Sequence, residues 1–207
     1  MNVRAPVLVI LLTSLSMSGC SLLGAGKKKQ PQQVYLVAPA QSVAARADGA
    51  ACGTIQVGAG NAAAGLRGPR MVYMRDPFAV NYFAFARWGD PPSFMLRDQA
   101  RRFLKDSGGF SGVLTAPVSA RTDWQLEIGD VALVQQFAGD SSTVRMAFEG
   151  RLFDSDRRSL IGTRYFEIIE PAGGDARSGV EAANRAAQVL LPQLVDFVYE
   201  LCDRREQ

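Results

Sequence analysis

The sequence predicts an α+β fold: a mixed, mostly antiparallel sheet with two main helices packed on one face. Three observations carry this. Between Trp124 and Ile169, apolar and polar residues alternate in long runs, the period of strands with one wet face. Around Leu96 and again around Leu190, apolar residues recur at the helical period instead. The elements follow one another as strands, helix, strands, helix.

Val34 to Val37 and Thr54 to Val57 read as short strands, and the Ala-, Ser- and Gly-rich stretch 38–53 between them as a loop. Met71 to Arg75 and Ala79 to Trp88 are rich in Tyr, Phe and Val and read as strands, with Asp76-Pro77 as the turn. Asp90 can cap the first helix, with Pro91 at its first position, where the missing N–H costs nothing. Leu96, Ala100, Phe103 and Leu104 form its apolar face, and Gly108-Gly109 ends it. Arg97, Arg101, Arg102 and Lys105 make a basic stripe on the other side. It reads as a solvated face; contact with anionic lipid or an acidic partner is the functional alternative.

Phe110 to Leu114 is a strand. Trp124, Leu126 and Ile128 alternate, then Val131 and Leu133 continue on the opposite parity, which predicts a bulge at Gly129-Asp130. Val144, Met146, Phe148, Gly150 and Leu152 alternate with polar residues, 154–158 is a hairpin turn, and Leu160 to Ile169 returns. In the last helix, Ser178 and Glu181 match a capping box. Val180, Ala183, Ala187, Leu190, Leu191, Leu194, Val198 and Leu201 then share one stripe. Pro192 lies opposite that stripe and predicts one bent helix.

The N-terminus is organised differently. A short polar start with Arg4 precedes an apolar run to Leu15 and small residues up to Gly19, the order of a secretory signal peptide. The run is shorter than the roughly 20 residues a spanning helix needs. Leu15-Ser-Met-Ser-Gly-Cys20 resembles the bacterial lipobox. That resemblance implies cleavage before Cys20, a diacylglyceryl thioether on its sulfur and an acyl chain such as palmitate on its new amine. Several chains hold a protein stably where one does not. In lipoproteins of this kind Asp after the cysteine favours retention in the inner membrane, so Ser21 points to the outer membrane. The chain therefore divides into a signal peptide (1–19), a lipid anchor with a Gly/Lys/Gln/Pro tether (20–33) and a single α+β domain (34–207). From Cys20 to Val34 is 14 steps, at most roughly 50 Å. Lys27 to Lys29 read as a solvated spacer; the alternative is contact with anionic headgroups.

Composition excludes several functions. Cleavage shortens the 207-residue chain to 188, enough for one domain with a sizeable core. Arg4 leaves too, so the 23 Lys and Arg become 22 against 20 Asp and Glu, without the clustered basic face of a nucleic-acid binder. Histidine is absent, which removes the commonest general base and metal ligand. No cofactor or metal motif is present; Gly58-Ala-Gly60 lacks the lysine of a phosphate loop and reads as a turn. With Cys20 on lipid, Cys52 and Cys202 remain as a candidate disulfide, the alternative being two separate thiols. Asp154 with Asp156, and Glu167 with Glu170, are the acid pairs an envelope hydrolase would use, but they sit in a turn and at a strand end.

The mature chain resembles the ABC-type transport auxiliary lipoprotein family, the PqiC-like lipoproteins. The resemblance rests on the order of several segments: Tyr35-Leu-Val, then Thr54-Ile-Gln-Val, then Met71-Val-Tyr-Met-Arg75. The aromatic strand Tyr82-Phe-Ala-Phe-Ala-Arg-Trp88 follows and runs into Pro91-Pro92, the first helix, the closing hairpin and the alanine-rich last helix. It implies a non-catalytic envelope component, not an enzyme. Its partners would be an ABC transporter and an MCE-domain protein carrying lipids between the membranes, with outer-membrane lipids reached through the acyl anchor. Phe78, Tyr82, Phe85 and Trp88 are the candidate partner interface, with the sheet core as the competing place for each. A direct lipid-binding module with its own apolar cavity is the alternative function, and a homo-oligomer is left open.

Overall fold

The computed structural model describes residues 31–40, 52–139 and 141–205. Cys20, the signal peptide and nearly all of the tether lie outside the described residues. The elements are β1 (Gln33–Tyr35), β2 (Thr54–Ala59), β3 (Arg70–Asp76), β4 (Ala79–Trp88), α1 (Pro92–Asp106), β5 (Gly112–Thr115), β6 (Trp124–Ala138), β7 (Ser141–Asp154), β8 (Ser159–Ala172) and α2 (Ala176–Arg205). They form an α+β fold with a mixed eight-stranded sheet.

The sheet is organised around β6. One of its edges pairs antiparallel with β7 along nearly its whole length, and β7 pairs in turn with β8. The other edge is shared. Residues 124–128 pair parallel with β2, and residues 134–136 pair parallel with β3. The sheet forks there, one branch running β2–β5 and the other β3–β4–β1. The register of β6 shifts between Gly129 and Ala132, with Asp130 at φ 50°. This bulge lets Ile128 and Val131 both point into the core, as the parity switch in the sequence requires.

Both helices share one hydrophobic core with the inner face of the sheet. Phe103 and Leu104 of α1, Leu126 and Ile128 of β6, Phe148 of β7 and Leu194 of α2 are all fully buried in it. The approach of α2 is close because β7 and β8 carry glycines beneath it. A Cβ on Gly150 would sit 2.9 Å from Leu194 Cδ1, and one on Gly162 would sit 2.7 Å from Leu201 Cδ1. A smaller cluster of Leu66, Val72, Ala132, Val134 and Ala147 forms separately, with Met74 and Tyr82 against it.

Two helix starts differ from expectation. α1 begins at Pro92, with Pro91 at the cap position, and no side chain caps it. α2 begins before Ser178: Asp175 Oδ1 accepts the Ser178 N–H at 2.8 Å, so the aspartate three residues earlier takes the capping role. Glu181 instead pairs with Arg177 at 3.3 Å, one turn away. α2 runs through Pro192 without interruption.

Candidate functional site

β1 is an edge strand of the sheet. This short strand lies parallel beside β4, with Gln33 opposite Ala86 and Tyr35 opposite Trp88. The strap after it is fastened by both helices. Asn184 Nδ2 of α2 donates to the Leu36 carbonyl at 3.3 Å, and its Oδ1 accepts the Ala38 N–H at 2.6 Å. Arg102 of α1 donates to the Pro39 carbonyl at 2.7 Å. Val37 plugs into the core between them. Asn184 does not stand out in the sequence, and Arg102, read there as part of a solvated basic face, is instead part-buried, because each acts on backbone far away along the chain.

Around β1 lies exposed apolar surface. Val34 and Leu36 are more than half exposed and lie over Gly89, whose Cβ position would be 3.7 and 2.6 Å from their side chains. Phe85, 54% exposed, stands on the neighbouring strand two residues before Arg87, the register partner of Val34. At the far end of β4, Pro77 and Phe78 form the two-residue turn of the β3–β4 hairpin, closed by the Asp76–Ala79 pair. Phe78 is 95% exposed.

The four aromatic candidates of the sequence therefore separate. Phe78 and Phe85 are on the surface. Tyr82 is half-buried, packs on the smaller cluster and carries Arg70 over its ring at 3.5 Å. Trp88 is a correction: it is 3% exposed and part of the main core, so it offers nothing to a partner. The cause is an irregularity in β4. Arg70 pairs with Arg87 but Val72 pairs with Tyr82, so β4 gains residues between these points and its parity changes. Phe83 and Ala86 turn inward, leaving Phe85 outside.

The opposite end of the molecule is locked. Cys52 and Cys202 are joined by a disulfide with Cα atoms 5.9 Å apart, across 150 residues of sequence. Trp124 Nε1 donates to the Cys52 carbonyl at 2.7 Å, and the Cys52 N–H donates to the Gly109 carbonyl at 2.9 Å. Asp123 Oδ2 accepts from both the N–H and the hydroxyl of Thr54, each at 2.7 Å. The bridged sulfurs and the Asp203 carboxylate lie within 4.8 Å of one another. A disulfide has no thiolate to give a metal, so this is not a ligand set.

The acids singled out in the sequence are held by separate partners. Asp154 is fully buried and accepts the Arg157 N–H at 2.9 Å, while Asp156 lies 3.6 Å from Arg121. Glu167 pairs with Arg145, and Glu170 with Arg185 at 3.2 Å. Elsewhere on the sheet Arg151 joins Glu127 at 3.0 Å, Asp130 at 2.6 Å and Glu149 at 3.0 Å. The Arg151 hydrogen bond, followed by that from Thr163, holds the Glu149 carboxyl below its ordinary value, and Glu149 in turn raises Arg151. Open clefts of about 440 and 410 Å³ lie over Gln56, Gln125 and Glu127. The apolar cavity lined by Met71, Trp88, Leu133 and Val144 has room for about 10 Å³, a single water at most. Gly60, from the stretch resembling a phosphate loop, donates its N–H to the Ile128 carbonyl at 2.8 Å, so it serves sheet pairing.

These features define an α+β domain with an edge strand, β1, along and beyond which apolar side chains stand exposed. The family model for the ABC-type transport auxiliary lipoprotein component matches residues 35–195, and the chain belongs to that family. The crystal structure of protein XCC0632 from Xanthomonas campestris, of family DUF330, superposes with a TM-score of 0.74 at 20% identity, covering 84% of this chain and 99% of that one. An uncharacterized protein of known structure superposes at 0.55 and 16% identity, over 83% of this chain and 99% of its own. The Chlamydia trachomatis hypothetical protein CT253 follows at 0.47 and 11%, over 74% and 98%. The first two share the fold with this chain. A comparison with curated proteins returned no match.

Proposed function

We propose that the protein is an outer-membrane lipoprotein facing the periplasm, the non-catalytic auxiliary component of an ABC/MCE-type lipid transport system. The observation that carries this reading is the family match over residues 35–195 in a chain whose residues 15–20 have the form of a lipobox. Acyl chains on Cys20 hold the domain at the membrane, Ser21 favours the outer one, and the tether presents the domain to an MCE-domain protein. Among the described residues no helix is long and apolar enough to cross a membrane. The docking surface is the apolar patch of Phe85, Val34 and Leu36 beside β1. Exposed aromatic and aliphatic side chains of this kind make the centre of protein interfaces.

Detergent pull-down from envelopes with a functional tagged copy tests this. It should recover an MCE-domain protein, and Phe85→Glu should lower the recovery about tenfold, as expected for a central interface side chain. Repeated failure to recover such a protein contradicts the proposal. The alternative is a carrier with its own lipid cavity: the apolar cavity by Met71 and Trp88 is too small for an acyl chain, and the larger clefts over Gln56, Gln125 and Glu127 are open and partly polar. Phospholipid co-purifying in stoichiometric amount would revive it.

A further inference from the structure

We propose that the Pro77-Phe78 hairpin tip is a second membrane contact, placing the Phe78 ring in the headgroup boundary of the same bilayer that holds the acyl anchor. This rests on the reading of Cys20 as that anchor. Phe78 is the most exposed of the described large apolar side chains, at 95%, and it stands on the apex of a turn. The apex is held in shape: Asp76 Oδ1 accepts the Phe78 N–H at 2.7 Å, and Asp76 pairs with Ala79 across the turn. Val80, 42% exposed, follows on the same hairpin.

The strand direction at Gln33 is compatible with such a contact. β1 runs parallel to β4, with Gln33 opposite Ala86. Read backwards from Gln33, the strand direction therefore leads along β4 toward Ala79 and the tip. From Ala86 to Ala79 is seven residues of strand, about 23 Å at ~3.3 Å each. The segment from Cys20 to Gln33 spans 13 steps, up to roughly 45 Å. By length alone, the acyl anchor and the tip can meet one bilayer. Arg75 is exposed beside the turn, its guanidinium held 4.6 Å over the Phe137 ring, and it offers a positive charge to anionic headgroups. The Asp76 carboxylate nearby is engaged by the turn itself.

A bilayer fits this feature better than a protein. Protein interfaces centre on a broad packed patch, whereas a ring on a two-residue apex suits insertion between headgroups, where aromatic side chains concentrate. A second contact beside the acyl chains also fixes orientation, turning the Phe85 patch in one direction relative to the membrane.

The test uses the mature chain in vesicles of phosphatidylethanolamine and phosphatidylglycerol, with the mass of its N-terminus determined first. Both native tryptophans, Trp88 and Trp124, are buried, so a Phe78→Trp variant reports on the tip. In vesicles with brominated acyl chains its added emission should be blue-shifted and quenched severalfold, while that of Phe85→Trp should be little changed. Acylated protein on vesicles with an unquenched Phe78→Trp, or with equal quenching at both positions, overturns the tip contact and leaves the anchor standing. An unmodified Cys20 overturns the anchor and the tip contact together. Loss of partner capture by Phe78→Ser, with Phe78→Trp unquenched, would make the tip a protein contact and likewise overturn the proposal.

Discussion

The two ends of β6 are built for different purposes. At Trp124, the disulfide, the indole bond to Cys52 and the Thr54–Asp123 pair converge within a few residues. At Ala138, the neighbouring β3–β4 hairpin ends in a phenylalanine that touches almost nothing. The locked end joins the segment just before β2 to the last turns of α2, parts of the chain with no other covalent reason to stay together. The bare end has its backbone fixed by a two-residue turn and leaves its side chain free.

Trp124→Ala should have the largest effect. It removes a side chain that is 2% exposed and its hydrogen bond to Cys52, and should cost about 3–5 kcal/mol in urea unfolding. A loss no larger than that of Phe78→Ala would mean the two ends are not unequal. Next in size, the double variant Cys52→Ala, Cys202→Ala should lose about 2–4 kcal/mol, chiefly because the unfolded chain is no longer closed over 150 residues. Reducing the native protein should lower its thermal midpoint likewise; an unchanged midpoint would remove the disulfide from the lock.

A smaller effect belongs to Asp175, at the start of α2. Its carboxyl is held below the ordinary 3.8 by the Ser178 backbone N–H and then the Ser178 side chain. Asp175→Ala should cost about 1 kcal/mol, the usual worth of a helix cap. A carboxylate depressed in the folded state stabilises fully above its unfolded value and loses that contribution as pH falls through the folded one. Glu149, lowered from 4.5, acts in the same direction. Stability should therefore fall as pH drops below about 4, and Asp175→Asn should make that decline shallower in urea titrations at successive pH values. The smallest effect should come from Phe78→Ser, within about 0.5 kcal/mol of the native protein, because the ring has so little packing to lose.

Local patterns made much of the fold legible. The helix faces, the β6–β7–β8 meander and the bulge at Gly129 follow from parity and period, which neighbouring residues set between them. What stayed hidden is non-local. Nothing in β2 or β3 announces that both pair with the same edge of β6, since parallel pairing is decided across distant segments. Asp175 and Ser178 are both capping residues, and only the position of α2 against the sheet selects between them. Gln135 shows the same: a buried polar residue on β6, it donates from Nε2 to the Gly173 carbonyl at 2.9 Å and to Ser142 Oγ at 3.0 Å, fixing the approach to that helix. In the candidate site, aromatic composition pointed to β4. The irregularity that buries Trp88 and exposes Phe85 left no mark that composition could show.

The central claim is that a lipid-bearing cysteine presents this domain from a membrane. Intact-mass and peptide mass spectrometry of the protein purified from membranes tests it most directly. The expected chain begins at Cys20, with a diacylglyceryl thioether on its sulfur and an acyl group on its amine. A chain that keeps residues 1–19, is cut elsewhere, or carries an unmodified Cys20 would contradict it.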